Sequence, residues 1–336
     1  TGDCIRVGIE SNVTAVCDGW RRRAARETAR TAAEEYLREQ AKATARGMAH
    51  ARVRYELFFK DVAQLKTSLQ SLRARGRAVT RVNLPNKDKG DDIISWVDAV
   101  RECGETIDCV PHFSMKNNYE RDSTRAAERL KRFASALRER KIDRCLLVSG
   151  SGSRVNDSVE MLRRLGMDRA WKREHSSFRF DVAFNPYFPE TKDLEHEYDR
   201  LDRKVRTGLV RGVWFQIGTD LDALESGLTR VRKMVGPDVD IFFSVWLPSK
   251  QLLARMKFRP WAGVFLSEEY LGSVKRAEDI TVSQLEIFAR HGATALIESP
   301  VTKDADWAQC ERLLARASST SKKRDRDASD PPECVA

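Results

Sequence analysis

The sequence predicts an α/β chain whose body is a closed (β/α)8 barrel, a TIM barrel. Three observations lead there. Short apolar runs rich in β-branched and aromatic residues recur along the chain. Each is followed by a stretch with apolar residues at i, i+3, i+4 and i+7, the spacing of an amphipathic helix. The strand-plus-helix pairs number eight, and alternating βα units build a parallel sheet that closes at that count. An open doubly wound sheet is the alternative. No GxGxxG follows the first strand, which weighs against it.

Composition bounds the rest. The chain has 336 residues, 41% of them hydrophobic and 33% charged, enough apolar matter for a full core and more charge than usual. A wholly disordered chain and a fibre are excluded. No run of 18 uncharged apolar residues occurs, so no bilayer-spanning helix is expected. Seven cysteines are too few for a disulfide scaffold, and the odd count leaves one unpaired within the chain. No CxxC occurs and the five histidines are scattered, which argues against structural zinc. A net charge of +10 suits nucleic acid, an anionic cofactor or an acidic substrate, and equally a set of solvated helix faces.

Taken in order, residues 1–51 read as a helical extension. From Asp18 the run is rich in Ala, Arg and Glu, with Asp18 as a cap. A presequence would be Arg-rich and acid-poor, whereas this segment holds Glu10, Glu27, Glu34, Glu35 and Glu39. The cytoplasm is the expected compartment, with mitochondrion or plastid left open. Residues 52–317 form the barrel. Its strand candidates are Val53–Phe59, Val79–Leu84, Ile107–Phe113, Cys145–Val148, Phe178–Phe184, Gly212–Ile217, Ile241–Trp246 and Ala293–Ile297. The helices between them include those opening at Asp61, Asp91 and Arg121, and several end at Gly76, Gly104, Gly166 or Gly208. Residues 318–336 are polar, charged and carry Pro331-Pro332, which reads as a disordered tail.

In such a barrel the active site lies at the C-terminal ends of the strands. Strand one offers Glu56 inside Tyr55-Glu-Leu-Phe-Phe59. Apolar surroundings raise a carboxyl pKa, which is what a general acid needs; an ion-paired structural Glu is the alternative. Strand three brings His112, strand six Gln216, and strand eight ends in Glu298-Ser-Pro300. Strand four runs into Ser149-Gly-Ser-Gly-Ser153 before a helix, where small residues and open N–H groups can cradle an anion or simply form a flexible loop. The helix after strand five carries Glu197, Arg200, Arg203 and Lys204, a face fit for a pyrophosphate or for solvent.

The run Asp199–Asp220 resembles the methylenetetrahydrofolate reductase family, where L-x-R-K-V-x-x-G leads into a strand ending T-Q-F-F-F-D. Here these read Leu201-Asp-Arg-Lys-Val205, Gly208 and Trp214-Phe-Gln-Ile-Gly-Thr-Asp220. Other family strands are matched in order by Tyr55–Lys60, Val110–Ser114, Ala183–Glu190 and Ile241–Pro248. The resemblance spans about residues 52–317. It implies a (β/α)8 barrel with bound FAD, which takes hydride from NAD(P)H and reduces 5,10-methylenetetrahydrofolate to 5-methyltetrahydrofolate, in one-carbon and methionine metabolism. It implies Glu56 as general acid, Gln216 as a folate contact, and His112, Arg203 and Lys204 at the flavin.

There are departures. Ser149-Gly-Ser151 stands where the family has R-G-D, so Ser149 and Ser151 occupy cofactor positions without their charges. Val82-Asn-Leu-Pro85 replaces V-T-Y-G, Phe184 and Phe188 replace a Tyr and a His, and Lys60 replaces a Pro. Two further readings therefore stand beside the reductase: a divergent, non-catalytic barrel with a binding or regulatory role, and a nucleic-acid binder motivated only by charge. The expected partner is a small folate substrate, with no membrane and no nucleic acid. The oligomeric state, a homo-oligomer included, is left open.

Overall fold

The computed structural model of the chain describes residues 53–74, 81–104, 107–152 and 155–329. The expected N-terminal helical extension, residues 1–51, lies outside them, as do residues 330–336. The eight expected strands are present in order: β1 (Val53–Glu56), β2 (Arg81–Leu84), β3 (Asp108–Ser114), β4 (Arg144–Val148), β5 (Arg179–Phe184), β6 (Val210–Phe215), β7 (Asp240–Val245) and β8 (Thr294–Ile297). Each pairs in parallel with the next, and β8 pairs with β1, which closes the barrel. β1 is shorter than the apolar run around it. Leu57 still donates to the Asn83 carbonyl, but β2 ends before Pro85, which has no N–H to extend the ladder.

The helices are α1 (Val62–Ala74), α2 (Ile93–Cys103), α3 (Ser123–Glu139), α4 (Ser158–Met167), α5 (Arg169–Glu174), α6 (Thr191–Val205), α7 (Leu221–Val235), α8 (Lys250–Phe258), α9 (Glu268–Gly272), α10 (Val274–Arg290) and α11 (Asp304–Ser329). Side-chain caps start many of them. Asp122, Asp157 and Asp220 accept from backbone N–H groups at the heads of α3, α4 and α7. Among the described residues no helix is long and apolar enough to cross a membrane.

Three local expectations change. The connection from β7 to its barrel helix α10 holds two short helices, α8 and α9, that simple alternation does not reveal. Gly166 does not end α4, which runs to Met167. A Cβ there would sit 3.2 Å from the Thr207 side chain, so this glycine serves close packing. The last helix continues past Ser318 to Ser329, where residues 318–336 read as a disordered tail. Nothing between Asp304 and Ser329 is Gly or Pro, so no residue interrupts the helix.

Two apolar compartments result from strand alternation. The large one lies between the strands' outer faces and the helices, where Tyr55 meets Trp307 at 5.3 Å between ring centroids. The small one is the barrel lumen: Val110, Leu146, Trp214, Phe242 and Leu296. The lumen also holds charge. Arg144 pairs with Asp181 at 2.9 Å, and Trp214 Nε1 donates to the same carboxylate at 2.8 Å. Asp181 is fully buried. Gly212 makes room for this pair, since a Cβ at that position would stand 2.7 Å from Asp181 Oδ1 and 2.9 Å from Arg144 Nη2.

Removing one member of a buried ion pair leaves the other uncompensated. Arg144→Met is expected to lower unfolding stability by about 3 kcal/mol in urea titration, and Arg144→Met/Asp181→Asn to recover most of that loss.

Candidate active site at the barrel mouth

Glu56 is the last residue of β1 and points into the lumen with 8% of its surface exposed. Burial pushes its carboxyl up to about 7, against the pull of the Lys87 ammonium. Lys87 Nζ lies 3.6 Å from Glu56 Oε1, and its side chain is 49% exposed, so water screens part of the attraction. The loop after β2 holds Lys87 in place. Asp91 Oδ2 accepts from the backbone N–H of Lys87 and of Asp88, and the ammonium sits 3.9 Å from the Phe58 ring centroid.

A relay of side chains fixes the neighbouring histidine. Arg54, buried two residues before Glu56, donates to Asp108 at 2.6 Å and to Asn83 Oδ1 at 2.9 Å. With its oxygen used as acceptor, Asn83 must donate from Nδ2, which lies 2.9 Å from His112 Nε2. His112 Nε2 is therefore the acceptor and the ring proton sits on Nδ1. Burial, helped by Lys87 and Arg54, holds the imidazole down at about 3. His112 is a neutral wall of the site, next to Lys87 and Glu56 on one side of the mouth.

Glu298 follows β8 and is partly open to solvent. Loss of water around its carboxyl and the adjacent Glu56 push it up to about 8, against a Ser244 hydroxyl bond and Lys87. Two carboxyls with raised pKa values in one barrel mouth can give and take protons near neutrality. A cavity of about 240 Å³ opens beside Glu56, lined by Leu57, Phe58, Gln64, Ser299 and Trp307 among others. It admits the reacting end of a ligand rather than a whole dinucleotide. A larger cleft of about 550 Å³, walled by Tyr187, Phe188, Met256, Phe265 and Leu271, lies between the loop after β5 and the insert that carries α8 and α9.

The residues expected around a flavin do not gather into one cradle. Ser149 Oγ is 2.8 Å from Ser158 Oγ and accepts from Arg200 at 3.5 Å. Arg200 itself pairs with Asp157 at 2.7 Å. Ser151 accepts from Lys116 Nζ at 3.1 Å. Lys204 is buried and donates to the Ala183 carbonyl at 3.0 Å; burial pulls its ammonium down to about 8, against Glu197. Arg203, next to it in sequence, is 54% exposed on the outer side of α6, 3.7 Å from Asp199. Neighbours on a helix point about 100° apart, so Arg203 and Lys204 make no joint clamp for a pyrophosphate. Gln216 sits at the end of β6 with Oε1 accepting from the Ile217 N–H at 2.9 Å. The site residues thus divide: Glu56 and His112 share one side of the mouth, Ser149 and Lys204 belong to a polar cluster between α4 and α6, and Arg203 stands apart. Lys87, Asn83 and the pairing of Glu298 with Glu56 carried no site signal in the sequence on their own.

Acidic groups with raised pKa values bind protons that the unfolded chain has released. Stability therefore falls as pH rises from about 4.5 through about 8. His112, held down from 6.5, acts oppositely, losing stability as pH falls below 6.5. The carboxyls alone are read in the window from about 6.5 to about 8. Wild-type protein is expected to lose urea stability across that window, and Glu298→Gln to flatten the loss; an unchanged slope would contradict the assignment.

No protein-family model matches the chain, and no curated protein matches it. Among solved structures, a glycoside hydrolase family 10 endoxylanase retrieved from sugarcane soil metagenome is similar over 74% of this chain and 85% of its own, at 13% identity and a TM-score of 0.47. A glycoside hydrolase family 18 chitinase from Pseudoalteromonas aurantia is similar over 79% and 99%, at 10% identity and the same TM-score. Likenesses of that size carry no argument about chemistry, and the closed barrel stands on the strand pairing itself.

Proposed function

We propose that the chain is a barrel enzyme of proton transfer, acting on a methylene-bridged folate or a close analogue, with Glu56 as its acid–base residue. One observation carries the reading: a carboxyl held near neutrality by burial at the C-terminal mouth of the barrel. The substrate class rests on the resemblance to methylenetetrahydrofolate reductases. A proton from Glu56 onto one bridge nitrogen makes that nitrogen a leaving group. The bridge carbon keeps its bond to the other nitrogen and becomes an iminium carbon. Lys87 stabilises the carboxylate that remains, and neutral His112 adds no competing charge. The proposed setting is cytoplasmic, with a small-molecule partner and neither membrane nor nucleic acid.

The family completes this reaction with FAD reduced by NAD(P)H. The residues described here do not fit a flavin cradle, so no hydride step is drawn through that group. The divergence of Arg203 from Lys204 favours a second reading, a barrel that binds its ligand without turnover.

The visible absorption spectrum of the purified chain, with and without added FAD, separates the two. A bound-flavin spectrum followed by NAD(P)H oxidation with a methylene-folate acceptor supports the reductase. In that case Glu56→Gln is expected to lower turnover by about 100-fold or more while leaving ligand affinity within about three-fold. A colourless protein that binds folate without consuming it supports the second reading, and unchanged turnover in Glu56→Gln removes Glu56 from the chemistry.

A further inference from the structure

Barrel closure brings two carboxylates together that lie 242 positions apart in sequence (298 minus 56). β8 lies beside β1 with Arg54 opposite Leu296 and Tyr55 opposite Ile297. The next residue on each strand is Glu56 and Glu298, so the two stand side by side at the mouth. Among the described residues the charged groups around them are few. Lys87 reaches Glu56 from the loop after β2. Arg54, deeper in the lumen, is committed to Asp108 and Asn83. His112 on β3 is held neutral by burial, helped by Lys87 and Arg54, with Asn83 Nδ2 against its Nε2. From β7 comes only the Ser244 hydroxyl, onto Glu298. Two ionised carboxylates would thus face one ammonium that is half open to water. One retained proton brings the group of Glu56, Glu298 and Lys87 to zero net charge.

We infer that Glu298 is the second half of the acid: at neutral pH the two carboxyls hold one proton between them, stored on Glu298 and delivered through Glu56. The position of Lys87 decides the storage side. Its ammonium stands at Glu56 Oε1, which favours charge on Glu56 and leaves the proton to Glu298. Both carboxyls are pushed up, which agrees with one proton retained between them. In the delivery step the Glu298 O–H proton passes to the Glu56 carboxylate, and Glu56 then gives that same proton to the substrate nitrogen. One O–H bond is lost, one N–H bond forms, and the pair gains one negative charge opposite the cation formed on the substrate. The inference deepens the acid assignment above and rests on it only for this catalytic consequence; the shared proton stands without it.

Carbon-13 NMR of the glutamate-carboxyl-labelled chain tests the pair directly. Difference spectra from Glu56→Gln and Glu298→Gln assign the two resonances. In wild type, both carboxyls are expected to titrate above the usual glutamate range, each responding to the other's ionisation. In Glu298→Gln, Glu56 should titrate lower by about one pH unit or more. In Lys87→Met, it should titrate higher. An unchanged Glu56 titration in Glu298→Gln, or two wild-type carboxyls titrating independently in the ordinary range, overturns the inference. If Glu298→Gln does not fold, the Lys87→Met titration and the wild-type curves decide it. Where turnover with a methylene-folate is measurable, the upper pH limit of Glu298→Gln should move down with its Glu56 titration. A shared proton in a chain that never acts on folate leaves the pair intact and rejects the substrate reading instead.

Discussion

Charge inside a barrel lumen has to be met from neighbouring strands, because water cannot reach it. Arg54 is the residue that sets this constraint here. It sits buried on β1 and takes partners from both strands that follow: the Val82 carbonyl, the Asn83 side chain and Asp108. Using Asn83 Oδ1 in that way turns the amide so that Nδ2 faces His112 and fixes its tautomer. Across the lumen, Arg144 meets Asp181 and Asp240, and Trp214 stacks on Phe242 at 4.0 Å between ring centroids. Each guanidinium lies within 5.9 Å of the Phe242 ring centroid. The charges of the lower lumen are thereby partnered. The mouth above it is not balanced to the same degree: two carboxylates stand there against one half-exposed ammonium.

Much of the fold was legible because its signals are local. A β-branched or aromatic run followed by an amphipathic stretch is visible in any window of the sequence, and eight repeats of it define the barrel. What local reading missed has local causes too. The insert of α8 and α9 stands between β7 and α10, so that one connection carries three helices where strict alternation expects one. Gly166 looked like a stop because a glycine near a helix end usually is one; its role against Thr207 depends on α6 arriving from forty residues later in the chain, roughly, and packing tightly there.

The site was legible in a different proportion. Glu56 announced itself as a carboxylate within an apolar run, which is an anomaly that needs no partner to be noticed. Lys87 did not, since it lies in the polar run Asn86–Asp92, where a lysine is unremarkable until Asp91 folds the loop back over Phe58. Glu298 was visible as a strand end, but its meaning depends on β8 closing against β1 in one register. A shift of one residue would have turned it to the outer face. Arg203 and Lys204 show the reverse case. Adjacent cations looked like one anion site, yet the helix turns them apart, one to solvent and one to the Ala183 carbonyl.

The two halves of the mouth are built from different strands. The acid side draws on β1, β2, β3, β7 and β8. The polar cluster of Ser149, Asp157, Arg200 and Lys204 draws on the ends of β4 and β5 and on α4 and α6. In a closed barrel each strand end is held by its two neighbours, so loops on one side can change without moving side chains on the other. The side-chain bonds of the Arg54–Asn83–His112 relay run among β1, β2 and β3, while β4 meets the relay through its backbone pairing beside His112. The side chains around Glu56 and those around Lys204 are thus held by separate sets of hydrogen bonds and ion pairs.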